Sequence, residues 1–136
     1  MVEQIFVNLP VADLKATMAF WRALGFDFNP QFTDDNAACL VLGEKAQVML
    51  LSTAYFTSFS GREIADTKTY SQTITALQVP NRETVDALVA KAVAAGAKTP
   101  RPSKDYGFMY QHGFDDLDGH IWEAFHMSAM PTGEPA

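Results

Sequence analysis

Apolar Val7, Leu9 and Val11 alternate with Phe6, Asn8 and Pro10. A period of two predicts a strand, here over residues 4–11. The period then lengthens. Leu14, Met18, Trp21 and Leu24 share one stripe and predict a helix over residues 14–24, with Asp13 as its N-cap and Gly25 as its stop. Three short strand patterns follow, "FDFNPQF" at 26–32, "AACLVLG" at 37–43 and "QVMLL" at 47–51, punctuated by polar turns. At residue 73 the series restarts. "TITALQV" at 73–79 reads as a strand. Residues 83–95 read as a helix with Val85, Leu88, Val89, Ala92 and Val93 on one face, stopped by Gly96. "KTPRP" at 98–102, "FMYQHGFD" at 108–115 and "HIWEAF" at 120–125 complete the second set.

Each half therefore reads strand, helix, three strands. This is an internal repeat of pattern, without matched letters. The predicted fold class is α+β: one domain made of two βαβββ modules, 4–51 and 73–127, joined by a linker over residues 52–72. A helix covers one face of each sheet and leaves the other face to curve around a cavity. Two such sheets would form a curved mixed-sheet cup, a natural small-molecule site. The linker carries Tyr55, Phe56, Phe59 and Tyr70. At least one of the first three is expected to pack over the cup's opening or against a partner chain. The tail from Ser128 onward is expected to be mobile.

Composition narrows the function classes. The chain has 136 residues, one domain's worth, with 48% hydrophobic and 19% charged residues. A net charge of −6 argues against nucleic acid as a partner, because phosphate binding needs a basic face. No apolar run approaches the roughly 20 residues of a membrane span. "MVEQIFVNLP" lacks the basic-then-apolar order of a signal peptide. Cys39, the one cysteine, allows no internal disulfide and reads as a small core residue. A cytoplasmic location is the simplest expectation.

The segments "VNLPVADLKATMAFWRALGF" and "DYGFMYQHGFDDLDGHIWEAF", in that order, resemble the glyoxalase, bleomycin resistance protein and extradiol dioxygenase superfamily, also called vicinal oxygen chelate. The first is similar to the family's strand, Asp-Leu turn, helix with an aromatic pair, and Leu-Gly-Phe. The second is similar to its Asp-x-Asp-Gly turn and a following strand with a Glu. The resemblance covers residues 4–127 and is nearest to a lactoylglutathione-lyase-like bacterial subgroup. It implies metal-ligand positions at Phe6, Met49, Ile74 and Glu123. Of these only Glu123 can ligate, since phenyl and sec-butyl groups cannot and a thioether is a poor partner for hard or borderline cations. A catalytic zinc needs about three protein ligands. The expectation is therefore no metal and no cofactor.

The resemblance also points Glu123 into the cup, where it would serve as a general base or acid or receive a ligand's hydrogen bond. Asn8 joins Phe6 by parity as a second inward polar group. His120 and His126 fall on the side opposite Glu123. His112 is expected to approach Glu123 from the neighbouring strand, if the register allows. Arg101, Lys104, Tyr106 and Tyr110 lie where the family's second-half loop borders the mouth. Phe20, Trp21 and Trp122 are assigned to the core or a dimer seam. The candidate ligand-binding residues are thus Phe6, Asn8, Met49, Ile74, Tyr110 and His112, with Glu123 as the candidate catalytic group. The expected function is binding of a small apolar or amphipathic molecule by a homodimer. The alternative is a lyase, isomerase or dioxygenase using Glu123, with or without a divalent metal.

Overall fold

A computed structural model describes residues 1–130 and 135. The chain divides into two compact units, Met1–Asp66 and Thr67–Ala136.

The first unit opens with strand β1 (Val7–Val11) and helix α1 (Leu14–Ala23). The Asp13 carboxylate caps α1 by accepting from the Ala16 N–H at 3.0 Å. Leu14, Trp21 and Leu24 of the expected stripe are buried, Thr17 and Phe20 join them, and Met18 is half-buried at the margin. Gly25 ends the helix at φ 99°, where a side chain would be strained. Strand β2 (Asp27–Asn29), a 3-10 turn at Pro30–Phe32, and strands β3 (Ala37–Gly43) and β4 (Ala46–Ser52) follow. The sheet order is β1-β4-β3-β2, with β1 parallel to β4 and the other pairs antiparallel. One face carries Leu9, Val11, Val48, Leu50, Ala38 and Leu40, all buried. Helix α1 lies on this face, where Arg22 stands 5.2 Å over the Phe28 ring. The other face carries Asn8, Met49 and Cys39 in one cross-strand row.

The second unit repeats this order with strand β5 (Ile74–Gln78), helix α3 (Arg82–Ala94), and strands β6 (Lys104–Asp105), β7 (Met109–Asp115) and β8 (Ile121–Met127). The sheet order β5-β8-β7-β6 again has the first strand parallel to the last and the rest antiparallel. Asn81 caps α3, accepting from the Thr84 N–H at 2.8 Å and hydroxyl at 2.7 Å. Val85, Leu88, Val89 and Ala92 are buried, whereas Val93 is exposed. They pack toward Phe114, Trp122 and Ala124, each fully buried. Phe20, Trp21 and Trp122 are all core residues of their own units. The α+β class and both βαβββ modules expected from the pattern are present.

Within the linker, residues Thr53–Ser60 form helix α2, which packs on β1 and β4 of the first unit. The helix ends where Gly61 adopts φ 67° and its N–H reaches the Thr57 carbonyl at 2.9 Å. The strand expected at 98–102 shrinks to a single bridge, Lys98 to Asp115, and β6 forms later. Pro100 and Pro102 have no N–H to give a ladder. The tail expected from Ser128 is anchored at its start, since the Ser128 N–H reaches the Phe108 carbonyl at 2.9 Å and Ala129 bridges Pro135. Its residues 131–134 and 136 lie outside the described residues.

Candidate functional site

Trp122 and Ala124 point under α3, and period two sends Ile121, Glu123, Phe125 and Met127 to the face opposite α3, the open face of this unit's sheet. Register fixes the neighbours. Glu123 stands between Ala76 of β5 and Gly113 of β7. One step along, Phe125 stands between Gln78 and Gln111, and in the other direction Ile121 lies between Ile74 and Asp115. Glu123 is half-buried, and among the described residues its carboxylate makes no hydrogen bond or ion pair. Asp115, on the same face, is different: Arg101 Nη2 donates to its Oδ1 at 2.6 Å.

Gly113 makes room for this carboxylate. A Cβ placed there would lie 2.6 Å from the Trp122 carbonyl oxygen and 3.2 Å from Glu123 Cγ. The Glu123 side chain therefore leans over the glycine, towards β7. Gly113 was not among the expected site residues, although a glycine inside a strand pattern is a recognised sign of close approach.

The turn before β8 holds the strand in place. Asp116 is buried at 6% exposure. Its Oδ2 accepts from the Trp122 indole N–H at 2.9 Å, and its Oδ1 accepts from the backbone N–H groups of Asp118 at 2.9 Å and His120 at 3.0 Å. Burial pushes the Asp116 carboxyl above its ordinary 3.8, against the opposing pull of His120, the indole and the two backbone donors. Gly119 completes the turn at φ 85°, and a Cβ there would lie 2.7 Å from the Thr67 carbonyl oxygen. The Asp-Leu-Asp-Gly sequence is thus a structural clamp on β8.

The structure separates the expected site residues. Ile74 shares the open face with Glu123, two residues along the neighbouring strand. Tyr110 and His112 do not. Because Gly113 pairs with Glu123, Tyr110 and His112 fall on the face covered by α3, and the expected approach of His112 to Glu123 does not occur. The Tyr110 hydroxyl donates to Asp86 of α3 at 2.6 Å, a bond that, with burial, raises its pKa. Arg82 lies 5.0 Å over the Tyr110 ring and makes a two-pronged pair with Asp105 at 2.7 and 3.0 Å. That pair pulls the Asp105 carboxyl down and pushes the Arg82 guanidinium up. His112 Nε2 lies 2.9 Å from Thr99 Oγ1, whose one proton goes to the Gly113 carbonyl at 2.9 Å. His112 must therefore carry its proton on Nε2 and donate it.

In the first unit, Met49 is half-buried between Asn8 and Cys39. Asn8 is exposed, and its amide donates to the Phe6 carbonyl at 3.3 Å. Phe6 precedes β1 and is 46% exposed. Cys39 is fully buried, its thiol 3.4 Å from Gln47 Oε1, and burial pushes its pKa up. On α2, Phe56 is half-buried, while Tyr55 and Phe59 are exposed and meet edge-to-face at 4.9 Å.

These residues do not fit a metal centre. Phe6 and Ile74 offer no donor atom, Met49 offers only a thioether, and Glu123 is a single carboxylate. Among the described residues no three His, Cys, Asp or Glu side chains converge. Among the described residues no helix is long and apolar enough to cross a membrane.

Comparison with known proteins adds the following. Residues 4–43 match the model of the bleomycin resistance protein-like N-terminal family. The fold matches hypothetical protein SA1046 from S. aureus with a TM-score of 0.79 and 29% identity, over 93% of this chain and 95% of that one. A glyoxalase/bleomycin resistance protein/dioxygenase family enzyme from Burkholderia phytofirmans PsJN matches at 0.75 and 21% identity, over 90% and 96%. A glyoxalase-related enzyme from Fulvimarina pelagi matches at 0.76 and 20% identity, over 99% and 98%. No curated protein matches the sequence.

Proposed function

From a chain with the fold of the glyoxalase, bleomycin resistance protein and dioxygenase superfamily, we propose a small-molecule binding protein that works without the superfamily's metal. Its ligand is apolar or amphipathic and lies on the open face of the second sheet. One observation carries this reading. The outward row of β8 is apolar at Ile121, Phe125 and Met127 and interrupted by a single unpaired carboxylate, Glu123. Apolar contact that excludes water supplies the affinity, and one polar group sets the orientation. A cytoplasmic location, in keeping with the single buried thiol of Cys39, belongs to the same proposal.

A thermal-shift screen of apolar and amphipathic compounds on wild type, Glu123→Gln and Phe56→Ala tests it. A ligand at 100 times its Kd adds about 2.7 kcal/mol, a shift of several degrees for a chain of this size. Hits are expected on the wild type, with the shift reduced in Glu123→Gln. Hits indifferent to Glu123→Gln would remove the open face of the second sheet from the site. Phe56→Ala asks whether α2 also meets the ligand.

The chain is proposed to act as a homodimer. Edge strands β1 and β5 present exposed Val7, Ile74 and Ala76, and apolar edges are what chain pairing covers. Sedimentation equilibrium at micromolar concentration is expected to return twice the chain mass. A monomer would contradict this.

A further inference from the structure

The open face of the second sheet specifies the charge of what it receives. We propose that the gap over Ala76 takes the ammonium group of an organic cation, with Glu123 as its counter-ion and Phe125 as its aromatic neighbour. The inference rests on the binding function proposed above and names its ligand class.

The Glu123 side chain has a defined direction. It leans towards β7, over Gly113, as the 3.2 Å approach of its Cγ to a notional Cβ there records. On its other side, towards β5, stands Ala76, which is exposed. A methyl group between larger neighbours leaves a gap. Ile74 and Gln78 bound that gap along β5, and Ile121 and Phe125 bound it along β8. Adjacent strands lie about 4.8 Å apart, and alternate residues on one strand about 6.8 Å apart. A cation over Ala76 is then within reach of both the Glu123 carboxylate and the Phe125 ring. Carboxylate and ring face together attract an ammonium group, and the ring gains most when water is excluded.

Charge on this face supports the sign. Asp115 is already neutralised by Arg101 at 2.6 Å. Lys104 lies on β6, two strands from β8, is exposed, and makes no ion pair with Glu123. Glu123 is therefore the one uncompensated charge among the described residues of this face near the gap. An inorganic divalent cation needs several such ligands, whereas an organic ammonium needs one counter-charge and a bed for its carbon body. Ile74, at 59% exposure, and half-buried Ile121 supply the bed. The net charge of −6 draws cations towards the protein in general.

Two probes of nearly the same shape separate charge from shape: benzylamine, protonated at neutral pH, and neutral benzyl alcohol. Their affinities are read by NMR titration at pH 7 and low salt, following the amides of β5 and β8, on wild type, Glu123→Gln and Ala76→Leu. The wild type is expected to bind benzylamine about tenfold more tightly than benzyl alcohol. Glu123→Gln is expected to erase that preference and keep the weaker binding, and Ala76→Leu to weaken both probes by filling the gap. Equal affinities in the wild type, or a preference that survives Glu123→Gln, would overturn the cation site and leave the binding function standing. Affinities for both probes unchanged in Ala76→Leu would overturn the placement over Ala76. If neither probe moves the β5 and β8 amides, the cation site and the binding function on this face both fall.

Discussion

Asp116→Ala is expected to lower the free energy of unfolding by about 3–5 kcal/mol. The carboxylate accepts from three donors, and one of them, the Trp122 indole N–H, belongs to a side chain with no exposed surface. Alanine leaves that donor without this acceptor in a place water does not reach. It also opens a void beside the largest core residue of the second unit. For a chain of this length the melting temperature is expected to fall by about 10 °C or more, measured by calorimetry against wild type. A change under about 1 kcal/mol would mean that the turn is not a clamp. The isosteric Asp116→Asn adds a pH signature. Burial holds the carboxyl above 3.8, so between 3.8 and the raised folded value the native state keeps a proton that the unfolded chain has released. That contribution is fully present below 3.8 and is lost as pH rises through the raised value. Asparagine has no such proton. Its deficit relative to wild type is expected to be largest below pH 3.8 and to shrink as pH rises through the raised value. A deficit that grows with pH would contradict the direction of the shift.

Gly113→Ala is expected to cost about 2–3 kcal/mol and to disturb the candidate site at the same time. The new methyl would lie 2.6 Å from the Trp122 carbonyl oxygen, which belongs to backbone in the middle of the sheet. Strand β8 is held by β5 on one side and β7 on the other, so it cannot retreat without loosening a ladder. The Glu123 side chain, 3.2 Å from the same point, must lift off β7. Denaturant unfolding measures the first effect. The second should appear as a loss of ligand affinity in the fraction that remains folded. A variant as stable as wild type would show that the two strands are not as close as described.

Much of the fold was legible from period alone. The change from two to 3.6 and back, twice, identifies both βαβββ modules, and Asp13, Gly25 and Gly96 mark helix ends because capping and positive φ are local properties. Helix α2 was not legible. "STAYFTSFSG" has no side-chain N-cap bond and mixes aromatic with hydroxyl residues, so it reads as loop until tertiary contact with β1 and β4 decides. The site was legible in part. Glu123 and Ile74 fall on the open face because parity within a strand is fixed by the sequence. Tyr110 and His112 fall on the other face because cross-strand register is fixed by pairing, and one residue of slip reverses every side chain. Asp116 was visible only as a turn residue. Its bond to Trp122, six positions on, needs the folded strand.

In the proposed function this face binds an organic molecule without a metal. Elemental analysis of protein purified without a His-tag, by mass spectrometry calibrated to chain concentration, tests that most directly. Well below one equivalent of zinc, nickel, manganese or iron per chain is the expected result, because of the four positions the resemblance implies, Phe6 and Ile74 have no donor atom, Met49 has only a thioether, and Glu123 is a single carboxylate. One equivalent of any of these metals, lost in Glu123→Gln, would contradict the account.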